Sequence, residues 1–272
     1  MYRRCVYRFL LSRQWVILTL VALLLIPGMI ELGFWQMHRH ERRVANNELI
    51  ARNLADPAVP VTELSSPGAE VRREDVWRTV TATGRYDARH EVVVRQRTGA
   101  DGASIGYYVL TPLRLDGGRA VLVNRGWIPA PGNLTRFPDV PQAPAGEVTV
   151  TGRLRADETT ANSGIKDKPG MPDRQVMLIN SEQRAADLGA PVLGGYVELT
   201  GTEPEPSGGQ PDPVPEPDHS GIGAHFAYAL QWWLFAAMVP VGWVILVRRE
   251  RKDLLAQRAA QEQRDGQPAP AG

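Results

Sequence analysis

Cysteine is almost missing from this chain. Among 272 residues the only one is Cys5, close to the start. Everything after it is therefore without disulfides, thiolate metal ligands or a thiol nucleophile. Lysine is scarce too, at 3 against 28 arginines, a bias that fits a GC-rich bacterial genome better than any chemistry. No charge of one sign dominates: the net charge is +1, which gives no electrostatic reason to expect nucleic acid. Catalytic signatures are lacking as well. The chain has no Gly-x-Ser-x-Gly turn, no P-loop and no Gly-x-Gly-x-x-Gly. His38 and His40 stand two apart, on different faces of a helix, and suit lipid headgroups better than joint ligation, while His90 and His219 stand alone in loops. The expectation is a protein that is not an enzyme.

What the chain does have is two long apolar runs. Phe226 to Val247 gives 22 residues without a charge, enough at about 1.5 Å per residue to cross roughly 30 Å of hydrocarbon. Gln14 to Ile30 gives 17 more; Glu31 interrupts, Leu32-Gly33-Phe34-Trp35 continues, and Pro27-Gly28 invites a kink. The residues after the first run lack a small-x-small cleavage site, so it reads as an uncleaved signal anchor. Arg3, Arg4, Arg8 and Arg13 precede the first span, and Arg248, Arg249, Arg251 and Lys252 follow the second. Both tails are then expected in the cytoplasm, with the long middle region outside. The expected division is a tail over 1–13, a span over 14–37, an extracytoplasmic β-rich domain over 38–200, a proline-rich acidic linker over 201–224, a second span over 225–247 and a tail over 248–272.

In the middle region, residues 38–55 should extend the first span as helix, and Pro57 should end it. Strand patterns follow at 76–83, 91–97, 107–115, 119–127, 147–155, 175–179 and 196–200. Asp116-Gly117-Gly118 forms a short hairpin turn, and Ser181 to Leu188 reads as a helix capped by Ser181 and ended by Gly189. Short strands at regular spacing predict an antiparallel barrel or sandwich. Residues 201–218 hold six prolines, five acids and no base, which predicts an extended exposed linker. The fold class expected is thus an α+β membrane protein, two transmembrane helices flanking an extracytoplasmic antiparallel β-rich domain.

Two clusters stand out. His225, Tyr228 and Trp232 are spaced i, i+3, i+7 and share one helical face at a span boundary. Such a face is either an interfacial aromatic belt or a site turned toward a cofactor or partner helix. Gln231, an amide inside the span, tilts toward the site, and imidazole with aromatic walls suits haem iron and its porphyrin. Asn124-Arg125-Gly126-Trp127-Ile128-Pro129 reads either as a strand end with a turn or as an edge where Arg125 and Trp127 dock a partner.

Taken in order, these stretches resemble the surfeit locus family of cytochrome c oxidase assembly factors. Leu32-Gly33-Phe34-Trp35-Gln36 with Arg39 resembles its signature at the end of the first span. Gly84-x-Tyr86 with Glu91 and Arg97, Gly106-Tyr107-Tyr108-Val109-Leu110-Thr111-Pro112, Val123 to Pro129, Thr151 to Arg155, and His225-x-x-Tyr228-Ala229-x-Gln231-Trp232 are similar to its later blocks. The resemblance implies a non-enzymatic factor acting as haem a enters the oxidase's catalytic subunit, with haem contact falling on His225. Gly223-Ala224 stand where family members often carry two asparagines.

The reading is a plasma-membrane protein that assists haem-copper oxidase assembly. His225 is the expected axial ligand of haem iron, with Tyr228 and Trp232 as the porphyrin wall. Arg125, Trp127, Trp35 and Gln36 are the expected docking residues. The partners are the catalytic subunit, other respiratory-complex proteins and membrane lipid. The alternative is a permanent accessory subunit that binds no haem; a membrane-anchored hydrolase comes last.

Overall fold

The computed structural model describes residues 7–265; Arg3, Arg4, Cys5 and the last part of the C-terminal tail lie outside the described residues. In chain order the elements are α1 (Arg13–Ala55), β1 (Val59–Pro60), α2 (Val61–Leu64), β2 (Thr79–Tyr86), β3 (Val92–Thr98), β4 (Ile105–Leu115), β5 (Ala120–Pro129), β6 (Glu147–Arg155), α3 (Thr160–Ser163), β7 (Gln175–Val176), α4 (Ser181–Leu188), β8 (Val192–Glu203) and α5 (His225–Asp265). They form two compact units: Asn46–Ser220, and the helices that flank it.

The domain is a closed barrel rather than a sandwich. Five strands ring it in the order β2-β6-β8-β5-β4, and β4 returns to pair with β2 through Gly84↔Leu115, Arg85↔Arg114 and Tyr86↔Leu113. Four seams are antiparallel; β5 and β8 run parallel, and the long connection such a pairing needs passes through β6, α3, β7 and α4. β3 pairs with the first half of β4 and carries β7 on its far edge.

All five barrel strands contribute to one interior core, including Val80 and Ala82, Leu113, Val121 and Val123, Val148, Val150 and Leu154, and Leu193 and Val197. Each buried aliphatic side chain is worth about 1.5–3 kcal/mol. Strand propensity spans only about 1 kcal/mol, so burial and not propensity decides where the strands lie. A second cluster covers the outside of the sheet, where Ile179 and Leu188 pack on Leu110, Leu122 and Tyr196.

Several elements depart from the sequence expectation for identifiable reasons. The first strand begins at Thr79, not Val76, because Trp77 sits at φ 73°, outside the extended region. The Asp116-Gly117-Gly118 hairpin forms as expected, with both glycines at positive φ. α4 is capped by Asn180, whose side chain accepts from the Gln183 amide, and not by Ser181; Gly189 ends it in the left-handed conformation. The 201–218 stretch is extended but not free. β8 reaches Glu203, Trp127 and Asp212 exchange two backbone hydrogen bonds at 2.7 and 2.8 Å, and Pro211 is buried.

In the helical unit, α1 runs through Pro27 without a break, and α5 continues past the expected end of its span to Asp265. Both helices are long and apolar enough to cross a membrane. They pack antiparallel. The Trp243 indole Nε1 donates to Thr19 Oγ1 at 3.1 Å near one end, and Arg43 Nε donates to the Gly221 carbonyl at 2.6 Å at the other.

One corner of the domain should register pH. Asp87 Oδ2 accepts from Arg114 Nε and NH2 at 2.9 and 2.8 Å and pairs with His90 Nδ1 at 2.9 Å. Burial alone would raise its carboxyl, but the Arg114 guanidinium and the His90 ring outweigh it and hold the group below the usual carboxylate range. A depressed folded value adds stability above the unfolded value of about 3.9, and that stability is lost as pH falls through the folded value. Asp87→Asn should therefore melt lower than wild type at pH 7, with the gap closing below about pH 4. A gap that stays constant down to pH 3 would exclude this account.

Candidate functional site

Asn124-Arg125-Gly126-Trp127 turns out to be a β-bulge. Between β4 and β5 the register runs Val109↔Gly126 and then Leu110↔Asn124, leaving Arg125 as the extra residue. The Asn124 side chain accepts from the Gly126 amide at 3.1 Å, and Gly126 takes φ 132°. A Cβ on Gly126 would stand 2.4 Å from the Asp212 carbonyl oxygen, so glycine is required for the 210–215 segment to pair there.

The bulge turns Arg125 inward. The residue is only 2% exposed. Its guanidinium donates to Glu91 Oε2 at 3.0 Å, to the Pro141 and Gln142 carbonyls, and to Gln210 Oε1 at 2.9 Å, and it lies over the Tyr86 ring. Of the docking or structural edge expected at Arg125, these bonds display the structural part: every one is internal and ties strand, loop and linker together. Trp127 is half-buried, with Nε1 donating to the Arg97 carbonyl at 3.0 Å and its ring filling the space beside Gly99 and Gly106.

The cleft of ≈ 540 Å³ contains Asp157 and Ser181, and the Asp157 carboxylate accepts from both the Ser181 amide and hydroxyl; no histidine lines it. No group of three or more His, Cys, Asp or Glu suited to a metal ion occurs among the described residues.

The helical unit brings together residues that the sequence places 189 positions apart. His225 is the first residue of α5, and its Nδ1 lies 2.9 Å from Gln36 Oε1 on α1. An amide oxygen only accepts, so Nδ1 is the donor in this pair, and the neutral tautomer that makes the bond has its lone pair on Nε2. Gly223, at φ 67°, lies beside the ring: a Cβ there would meet Cδ2 at 3.4 Å and Nε2 at 3.6 Å, in ordinary contact. His40, one turn beyond Gln36, stacks 5.5 Å from the Phe226 ring, and its Nδ1 is buried without a hydrogen-bond partner.

The His225, Tyr228 and Trp232 face divides in the structure. His225 turns toward α1, whereas Tyr228 is 50% exposed and Trp232 is half-buried, edge-on to Phe235. The contact with α1 is made by the neighbouring Trp233. Its indole occupies the space where a Cβ on Gly33 would be and meets Phe34 edge-on at 5.5 Å. Buried Ala229 shares that packing face. Gln231 is exposed, and Trp35 is 48% exposed with the Arg39 guanidinium over its ring. Sequence reasoning found Gln36 and His225 separately but not their bond, because helical spacing reports faces and not partners across 189 residues.

Fold and helices together define a two-span membrane protein built around a closed five-stranded barrel. Residues 23–237 match the SURF1 family. An uncharacterised SURF1-like protein of Mycobacterium tuberculosis is 33% identical over 237 residues, 86% of this chain and 83% of its own length. A SURF1-like protein of Monosiga brevicollis is 28% identical over 248 residues, 84% of this chain and 87% of its own. A SURF1-like protein of Rickettsia felis is 28% identical over 108 residues, 40% and 45% of the two chains. The chain belongs to the SURF1 family, known generally as cytochrome oxidase assembly factors.

If Arg125 is structural, its removal should unfold the barrel rather than weaken a partner. Arg125→Met takes from the buried Glu91 carboxylate its nearer cation, leaving Thr111 and the more distant Arg174, at a cost of about 3 kcal/mol, or roughly 6–12 °C in the melting temperature of a domain this size. Adding Glu91→Leu should recover most of that loss. Arg125→Met melting at the wild-type temperature would restore the docking reading.

Proposed function

We propose that this protein is a membrane-anchored assembly factor for a haem-copper cytochrome c oxidase, and that it holds haem a at His225 while the catalytic subunit receives it. Family membership supports the oxidase and the class of role. The observation that carries the haem assignment is the placement of the His225 imidazole: Nδ1 is engaged by Gln36, and Nε2 lies on the other side of the ring, beside Gly223. A ligating histidine characteristically has its other ring nitrogen bound by a neighbouring acceptor, which orients the ring. The residues therefore fit an iron porphyrin, and iron ligation there would supply attachment without chemistry on the macrocycle.

The chain's own residues divide the work. His225 offers the ligand atom, and Gln36 holds the ring. Tyr228 and Trp232, exposed or half-buried beside it, supply flat apolar surface for a macrocycle edge. Trp35, exposed under Arg39, is the better docking candidate of the four the sequence suggested. The basic flanks of both helices support tails in the cytoplasm and a domain on the outer side of the plasma membrane.

The test uses protein purified from cells that make haem a. Wild type should carry haem with an imidazole-ligated spectrum, and His225→Ala should lose most of it while the barrel melts normally. Equal haem in the two proteins removes His225 as ligand. Recovery of the wild-type chain in stoichiometric amount with mature oxidase would instead support a permanent accessory subunit.

A further inference from the structure

We propose that Gln36 is a positioning residue that sets the tautomer of His225 and tunes how firmly that imidazole holds a metal. The proposal rests on the haem reading for its consequence but not for its geometry.

Gln36 lies on α1, one turn before His40, whose Nδ1 is buried without a hydrogen-bond partner. Its Oε1 is 2.9 Å from His225 Nδ1. Neutral imidazole has one N–H and one lone pair, and a ligand must present the lone pair outward. With Nδ1–H donated to Gln36, the lone pair is fixed on Nε2, the nitrogen that lies against Gly223. Were Gln36 absent, nothing at Nδ1 would select between the two tautomers, and the fraction of protein ready to bind would fall.

The chemistry of the acceptor matters as much as its presence. Many metal-bound histidines donate to a carboxylate, which makes the ring more basic and the metal bond firmer. An amide orients the ring equally well, adds no charge and raises its basicity less. That combination suits a ligand that must release what it binds.

The experiment compares wild type, Gln36→Leu and Gln36→Glu as full chains in nanodiscs. Nitrogen-15 NMR of labelled histidine reads the His225 tautomer without any cofactor, with His225→Ala identifying the resonance. Hemin is then the probe for affinity and for release to apomyoglobin. Wild type and Gln36→Glu should hold the Nδ1–H form, and Gln36→Leu should lose it. Gln36→Leu should bind hemin about 10–100-fold more weakly. Gln36→Glu should release it more slowly than wild type, at a lower iron potential. A wild-type tautomer in Gln36→Leu overturns the proposal, as does a Gln36→Glu protein that behaves like Gln36→Leu. A wild type that takes up no hemin, yet whose tautomer still follows residue 36, overturns the haem reading and upholds the Gln36 assignment.

Discussion

β4 must satisfy three neighbours, and the barrel exists only because it does. β5 runs along nearly its whole length, β3 occupies the opposite edge as far as Leu110, and β2 takes that edge over from Leu113. Between the two partners stands Pro112. A proline in a central strand would normally remove a ladder hydrogen bond. Here it falls at the handover, where no amide is needed, and its carbonyl accepts from the amide of Asp87, the residue that begins the turn out of β2, at 2.8 Å. The missing donor therefore costs little, and the strand can serve one partner and then the next. Closure removes the free edges that an open five-stranded sheet would expose.

On the strands of the sheet the unusual feature is buried arginine. Arg97, Arg125 and Arg153 are all at most 9% exposed, and each has a carboxylate partner: Glu158, Glu91 and Glu198. Each also stands in or beside a register shift. Gln96, at φ 57°, marks the bulge before Arg97; Arg125 is the extra residue of its own bulge; and the pairing of β6 with β8 shifts between Thr151 and Gly152. A bulge changes which face a side chain points to, and it is the means by which a cation on a strand reaches an inward partner. Burying such pairs gains little net stability over apolar packing. Their geometric demand fixes neighbouring segments instead: Arg125 binds two loop carbonyls and Gln210, and Arg153 NH2 binds the Val214 carbonyl at 2.7 Å. The proline-rich stretch has no core of its own and takes its path from these arginines.

Much of this was legible in the sequence where local rules suffice. Alternation located β6 to the residue, the double glycine located the β4–β5 hairpin, and the long uncharged runs located both helices. What local rules could not supply was partnership. Arg125 reads as an exposed edge residue because strand periodicity carries no sign of a bulge. The linker reads as free because its composition is disordered-like, whereas the acceptors that tie it down are backbone carbonyls, which every sequence has. At the site, the i, i+3, i+7 rule grouped His225 with Tyr228 and Trp232 correctly as neighbours on a surface. It could not show that the packing contact passes to Ala229 and Trp233, because that depends on where Gly33 opens a hollow in the other helix.

That hollow explains why the imidazole stands where it does. In lipid, two helices gain nothing from hydrophobic burial against each other, so close packing at small residues and a few polar bonds must hold them. The pair uses both kinds, two polar bonds with one packing contact between them: the Thr19–Trp243 hydrogen bond, Trp233 seated at Gly33, and the Gln36–His225 bond. Once Trp233 is seated, the antiparallel register is set, and the start of α5 must fall opposite the turn of α1 that carries Gln36. Helical side chains lean toward the N-terminus. The first residue of a helix has no preceding turn to cover, so its ring projects past the end of the helix, over Gly223. One packing contact deep in the pair thus places an oriented imidazole at the boundary, half held by the protein and half left open.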